Sequence, residues 1–286
     1  MNFNIKDPEK IVRVATKATL YFMVCCGLIL VAAQIKPFWV DEWRVIYNLK
    51  FKTTHTIWGQ LDYMQQFPRL YLWLIKQFTS VFDYSYFTLR LPSFLVGSFA
   101  IWFCYRLMKK LYPDGHFNRY LFVMVLISCS TFTEYFVQIK QYTMDILLSL
   151  VIIGQLVSLL EIKEGKTHVG RYLLLCLSFL ILPFFSYTYP VGVAPVYGII
   201  LIQSLAGYRS TTKQVLFLKW LPLALCTAGI VLFYLIDVKQ LMADGGMRHW
   251  WRGVLMEGGF HPVLFIENFF LLFAQVGSGF VSVSYT

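Results

Sequence analysis

Long apolar runs, broken by short polar or basic stretches, set the pattern of this chain. They cover residues 18–35, 91–107, 120–136, 142–160, 172–187, 191–205, 220–236 and 263–276. The runs are continuous rather than alternating and mostly ~17–22 residues long, enough for a helix to cross a ~30 Å hydrocarbon core. Backbone groups in lipid must bond internally, which leaves helix bundles or closed barrels. Barrel strands would alternate apolar and polar positions, so the pattern predicts an all-α polytopic transmembrane helix bundle of about eight spans. A further apolar run, residues 68–82, lies between Pro68 and Asp83. At about 15 residues it is short for a span. It predicts an interfacial helix in the first outer loop, with Arg69 and Lys76 reaching headgroups.

Composition agrees. The 286 residues are 58% hydrophobic, with 14% charged, against the roughly 25% charged of soluble domains. A water-soluble fold would have to hide more apolar surface than it could bury, so the chain is an integral membrane protein. The net charge of +10 does not indicate nucleic acid as a partner, because the basic residues punctuate the apolar runs and form no solvated basic domain. Cys25, Cys26, Cys104, Cys129, Cys176 and Cys226 all fall inside apolar runs, where a free thiol packs as a small hydrophobe. The basic N-terminal stretch with its weak cleavage site reads as a retained anchor. Residues 1–286 read as one membrane domain.

Charge placement predicts an orientation. With the N-terminus cytoplasmic, the inner segments are short and carry most of the lysines and arginines, among them Lys6, Lys10, Arg13, Lys17, Arg106, Lys109, Lys110, Arg119, Arg171 and Lys213. The positive-inside rule then puts the loops around Asp41–Glu42 and 237–262 on the outer face.

The polar chemistry concentrates between Lys36 and Arg90. Asp41 and Glu42 follow the first run directly, among Phe38, Trp39, Trp43 and Tyr47. Such aromatics sit at headgroup depth, so the carboxylates should as well. A partly desolvated carboxylate there could be a general base for an acceptor hydroxyl, or simply a solvated charge beyond a helix end. Lys140, Arg69 and Arg90 share the outer side and could hold a lipid phosphate, or serve as snorkelling charges. Lys140 is the strongest of these, in a very short turn with Glu134, Gln138 and Tyr142 nearby. Asp145 begins the next run and could pair with Lys140 or line a cavity. His249, Trp250, Trp251, Arg252 and His261 could stack on a sugar, although anchoring at the interface is the simpler role. His55, His249 and His261 make no metal signature. The acidic pair beside Glu134 could hold a divalent ion weakly, and no cofactor or metal is expected to be required.

Four stretches together resemble the polytopic glycosyltransferases of the GT-C class, which include the protein O-mannosyltransferases and bacterial transferases using polyprenyl-phosphate sugars. They are Asp41-Glu42 after the first span; Phe67-Pro68-Arg69-Leu70-Tyr71-Leu72-Trp73-Leu74, similar to a Pro-Pro-Leu-Tyr stretch; Leu89-Arg90-Leu91-Pro92, similar to an Arg-Leu-Pro opening of the next span; and Tyr135 to Asp145, similar to the second outer turn with Lys-Gln-Tyr for Arg-Pro-Tyr. The resemblance covers about residues 18–160. It implies inverting transfer of a sugar from a polyprenyl-phosphate donor to a lipid, glycan or protein acceptor on the outer face, in a bacterial inner (plasma) membrane. Asp41 would be the base, Glu42 its support, and Lys140 the donor-phosphate ligand, with Arg90 and Arg69 as weaker candidates. The chain departs from the pattern in two places: Gln138 stands where the group usually has Glu, for which Glu134 is the candidate substitute, and Arg69 stands where it has its second Pro. Members are longer, and the chain is expected to be truncated at its C-terminus relative to them.

Two other classes share the pattern. A transporter or flippase of lipid-linked sugars would also place polar groups within a bundle, but paired broken helices in repeated halves are not visible. A non-catalytic membrane subunit or fragment would not need Asp41 at all.

Overall fold

A computed structural model describes residues 8–32, 37–162, 168–207 and 212–240. The region 241–262, with His249, Trp250, Trp251, Arg252 and His261, and the predicted run 263–276 lie outside the described residues. Within them every regular element is helical. Helix α1 spans Pro8–Ala32, α2 Val40–Phe51, α3 Arg69–Phe82 and α4 Tyr86–Leu111. Then come α5 His116–Ser128, α6 Ser130–Tyr135, α7 Tyr142–Leu160 and α8 Val169–Ile181. Helices α9 Tyr189–Gly192, α10 Ala194–Ala206 and α11 Lys213–Phe233 complete the order.

Among the described residues, four stretches are long and apolar enough to cross a membrane: Tyr86–Leu111, Tyr142–Leu160, Tyr189–Ala206 and Lys213–Val238. Two expected runs are interrupted instead. Run 120–136 breaks at Cys129, whose backbone is extended. The cause is a local cluster of hydroxyl residues: Thr133 Oγ1 donates to the carbonyls of Cys129 at 3.0 Å and Ile127 at 3.3 Å, competing with the helical ladder. Run 172–187 ends its α-helix at Ile181 and tightens into a 3-10 turn, Leu182–Phe185, at Pro183, where proline lacks the N–H that an α-helix interior requires.

Helix α4 packs along α7 and α5, α1 packs on α5 and α4, and α8 pairs with α11. Small residues allow the close approaches, as they do where helices meet in lipid. At Gly97 of α4 an added Cβ would lie 2.6 Å from the Phe136 ring, and at Gly229 of α11 one would collide with the Leu180 carbonyl oxygen of α8. Phe136 is thereby seated on α4, and it begins the turn 136–141 that carries Lys140.

Helix α3 turns its cations inward, correcting the expectation that Arg69 and Lys76 reach headgroups. Both are buried. Lys76 Nζ donates to the Leu49 carbonyl at 2.7 Å, satisfying an open acceptor near the end of α2. Arg69 binds Phe67 and Asp237, as detailed below. A buried cation needs such partners, and these lie beneath the helix rather than above it.

Candidate functional site

Helix α2 starts directly after Trp39, whose backbone is extended, and its first turn carries both acidic residues. Consecutive positions on a helix point about 100° apart, so the two carboxylates separate. Glu42 turns inward and is fully buried. One of its oxygens accepts from Trp39 N at 3.2 Å, and the other accepts from Ile139 N at 3.1 Å in the turn before α7. The Arg90 guanidinium stands 3.7 Å away, also fully buried. Arg90 further donates to the Pro37 carbonyl at 3.3 Å and lies over the Phe38 ring, 4.6 Å from its centroid. Phe38, placed by sequence in an interfacial aromatic cluster, is instead buried and stacked on Tyr86 at 4.2 Å. Trp39 and Trp43 do stay exposed.

Asp41 turns outward. Its side chain is 39% exposed and lies 3.6 Å from Arg44 and 3.4 Å from Lys140 Nζ. Lys140 is buried, and it also donates to Gln65 Oε1 at 3.4 Å. Burial pushes the Lys140 ammonium below the usual lysine range, and the neighbouring Asp41 opposes that shift. Sequence-distant pieces thus meet at one point: the first turn of α2, the Gln65 loop and the turn 136–141.

That loop is held unusually. Tyr63 and Met64 both adopt positive φ, 59° and 53°. Asn48 fixes the segment from both ends of its amide, accepting from Asp62 N at 2.8 Å and donating to the Asp62 carbonyl at 3.1 Å. Lys52 bridges the Asp62 carboxylate at 3.0 Å. The next residue after the strained pair is Gln65.

The remaining predicted residues fall elsewhere. Arg69 forms a separate buried centre: its backbone N–H donates to Asp237 at 2.9 Å, its Nη1 to the Phe67 carbonyl at 2.9 Å, and its Nε lies 3.9 Å from Asp237. Tyr187 joins it, donating to Asp237 at 2.8 Å. Asp145 pairs with neither Lys140 nor Gln141 through its carboxylate. It accepts from Ser186 and, at 3.3 Å, from Thr188, because the chain after α8 passes beside the start of α7. Glu134 is exposed on α6, Gln138 is buried with its amide oxygen unpartnered, and the Tyr142 ring packs on Tyr135 at 4.2 Å.

Sequence reading did not single out Gln65, Arg44, Ser186, Tyr187 or Asp237 as site residues. For Tyr187 and Asp237 a signal existed, since both end apolar runs on the same predicted side of the membrane. Gln65 carried none, being one of several polar residues in an irregular segment. No group of three histidine, cysteine or acidic side chains converges among the described residues.

Chemically, the Asp41–Lys140 pair offers a solvent-facing carboxylate beside a largely desolvated cation. That combination can accept a proton and hold an anion a few ångströms apart. No curated protein and no solved structure matches the chain. A family model does, over residues 67–234, more than half of the sequence. The matched stretch runs from the residues before α3 to the end of α11 and includes Arg69, Arg90 and Lys140, so the chain belongs to the dolichyl-phosphate-mannose-protein mannosyltransferase family of membrane glycosyltransferases.

Proposed function

We propose that the chain transfers a sugar, with inversion, from a polyprenyl-phosphate donor to a hydroxyl of a lipid, glycan or protein acceptor on the outer face of the membrane. The family supports mannosyl transfer from such a donor. The observation that carries the reading for this chain is the 3.4 Å approach of Lys140 to the outward-turned Asp41, with Glu42 and Arg90 committed to each other beneath.

In the proposed reaction the acceptor oxygen attacks the anomeric carbon, and the bond from that carbon to the phosphate oxygen breaks. Asp41 takes the hydroxyl proton. The polyprenyl phosphate leaves with the bonding pair and is held by the Lys140 ammonium. Before donor binds, Lys140 is neutralised by Asp41 and steadied by Gln65, and an incoming phosphate competes for the same ammonium. Glu42 and Arg90 fix the turn that carries Lys140. The amphipathic α3 lies near the membrane surface in this reading. The outer-face assignment is supported by the clustering of basic residues at the opposite end of α4, α7 and α8.

The test is transfer of radiolabelled mannose from a polyprenyl-phosphate pool in membranes carrying the chain, beside Asp41→Asn and Lys140→Gln. A lost general base costs about 10²–10⁴-fold, so Asp41→Asn should abolish detectable transfer while leaving insertion intact. Lys140→Gln should raise the donor concentration needed. Equal transfer by all three would remove both residues from the mechanism. Movement of intact donor across the bilayer without a new glycosidic bond would mark a transporter instead.

A further inference from the structure

At the other end of α4 from Arg90, residues of α4, α7 and α8 line a cleft of ≈ 800 Å³. It is about 24 Å from the level of Arg90, counting the sixteen residues of α4 between Arg90 and Arg106 at ~1.5 Å each. The proposed reaction uses none of its residues. Arg106, Lys109 and Lys110 reach it from α4 and Arg171 from α8, and among the described residues the one carboxylate in the lining is Glu161. Glu161 is already engaged, 2.6 Å from Lys110. Arg106, Lys109 and Arg171 are exposed and have no carboxylate partner among the described ion pairs.

Away from the cations the walls are mainly apolar. Phe103, Leu107 and Val151 come from α4 and α7, and Leu174 and Leu175 from α8, with a Gln155–Ser178 hydrogen bond of 2.9 Å among them. Outside the cleft, α8 presents Leu173 and Leu177, each more than half exposed. Basic residues near helix ends are common in membrane proteins. Here they converge from two helices on a concavity of ligand size, with apolar surface running away from it along α8. A bare phosphate would have no use for that surface, and a neutral lipid no use for the cations.

We propose that this cleft binds an anionic phospholipid of the surrounding leaflet. Its phosphate headgroup sits among Arg106, Lys109 and Arg171, and its acyl chains lie over Phe103 and the exposed leucines of α8. Basic pockets between membrane helices recognise lipid headgroups by this combination.

The test uses the full chain purified in mild detergent and offered equal amounts of phosphatidylglycerol and phosphatidylcholine, with bound lipid counted by native mass spectrometry. Phosphatidylglycerol should be retained at least tenfold over phosphatidylcholine. Each cation removed should cost about fivefold, so Arg106→Gln/Lys109→Gln/Arg171→Gln should bring the two lipids to parity, while Arg106→Lys/Arg171→Lys keeps the preference. Ser158→Phe places a ring in the cleft with every cation intact and should also abolish retention. If the triple variant is not recovered folded, Arg171→Gln alone, at an exposed position, should show the fivefold loss. The proposal is overturned if the triple variant keeps the preference, or if Ser158→Phe leaves it unchanged, which would mean surface charge without a cleft. It is overturned as well if glycerol phosphate displaces the lipid at equal concentration, which would make the site one for free phosphates.

Discussion

Replacing Glu42 with glutamine keeps the shape of the side chain and removes only its charge. Glu42 and Arg90 are both fully buried, 3.7 Å apart. At an effective dielectric constant of about 20 this separation corresponds to roughly 4.5 kcal/mol of attraction. The substitution forfeits that attraction and strands a guanidinium whose Nε and Nη1 already lack partners. Breaking one side of such a pair costs about 3–5 kcal/mol. One of the two backbone hydrogen bonds, to Trp39 N or Ile139 N, can survive through the amide oxygen; the other contributes about 1 kcal/mol. Glu42→Gln should therefore destabilise the protein by about 3–5 kcal/mol. Arg90→Gln should do comparable harm by stranding the carboxylate. The double variant should cost less than the sum, with a coupling of at least about 2 kcal/mol. Unfolding in detergent, followed by circular dichroism for wild type, both singles and the double, measures all four corners. Additive losses, or a Glu42→Gln cost under about 1 kcal/mol, would show that the pair does not hold α2 against α4, and Glu42 would lose its role as the tie between those helices.

Other consequences can be checked in the same preparation. Gly229→Ala drives a methyl into the Leu180 carbonyl oxygen and should destabilise by about 1–3 kcal/mol; Gly198→Ala on α10 meets nothing within 4 Å and should be neutral or stabilising by up to about 1 kcal/mol. Unfolding curves that rank the two equally would deny the close packing of α8 on α11. Because burial lowers the pKa of Lys140, the ammonium is lost at a pH below the ordinary ~10.4 of lysine. Donor KM should rise on that alkaline limb. Stability should move the other way, increasing as pH climbs from the folded to the unfolded pKa, since the unfolded chain binds the extra proton there. Lys140→Arg stays charged and should abolish the limb; a limb that persists would belong to another group.

What was legible in the sequence followed the range over which each signal acts. Helix α7 fills the run 142–160 because, after the one charge in its first turn at Asp145, no further charge interrupts it before Glu161. The break at Cys129 was hidden, since the hydroxyls that cause it also occur inside membrane helices. Position and resemblance singled out Asp41 and Lys140 separately, yet their contact accompanies the reach of Glu42 to Ile139, 97 residues away. No local pattern encodes that. The inward turn of Arg69 and Lys76 was likewise invisible, because a periodic cation looks the same whether its partner is a headgroup or a carbonyl beneath the helix.

On the proposed function, the left-handed backbone at Tyr63 and Met64 would set durability against activity. A residue other than glycine or asparagine there costs about 1–2 kcal/mol, and Met64 is 43% exposed, so its side chain recovers little of that cost through packing. Asparagine tolerates the conformation. Met64→Asn should make the protein hardier by up to about 1 kcal/mol. If the tautness of this loop is what presses Gln65 onto Lys140, the hardier protein will turn over more slowly. A selection for heat resistance would then find this position readily, whereas a selection for sugar transfer would keep returning it to a residue that fits it badly.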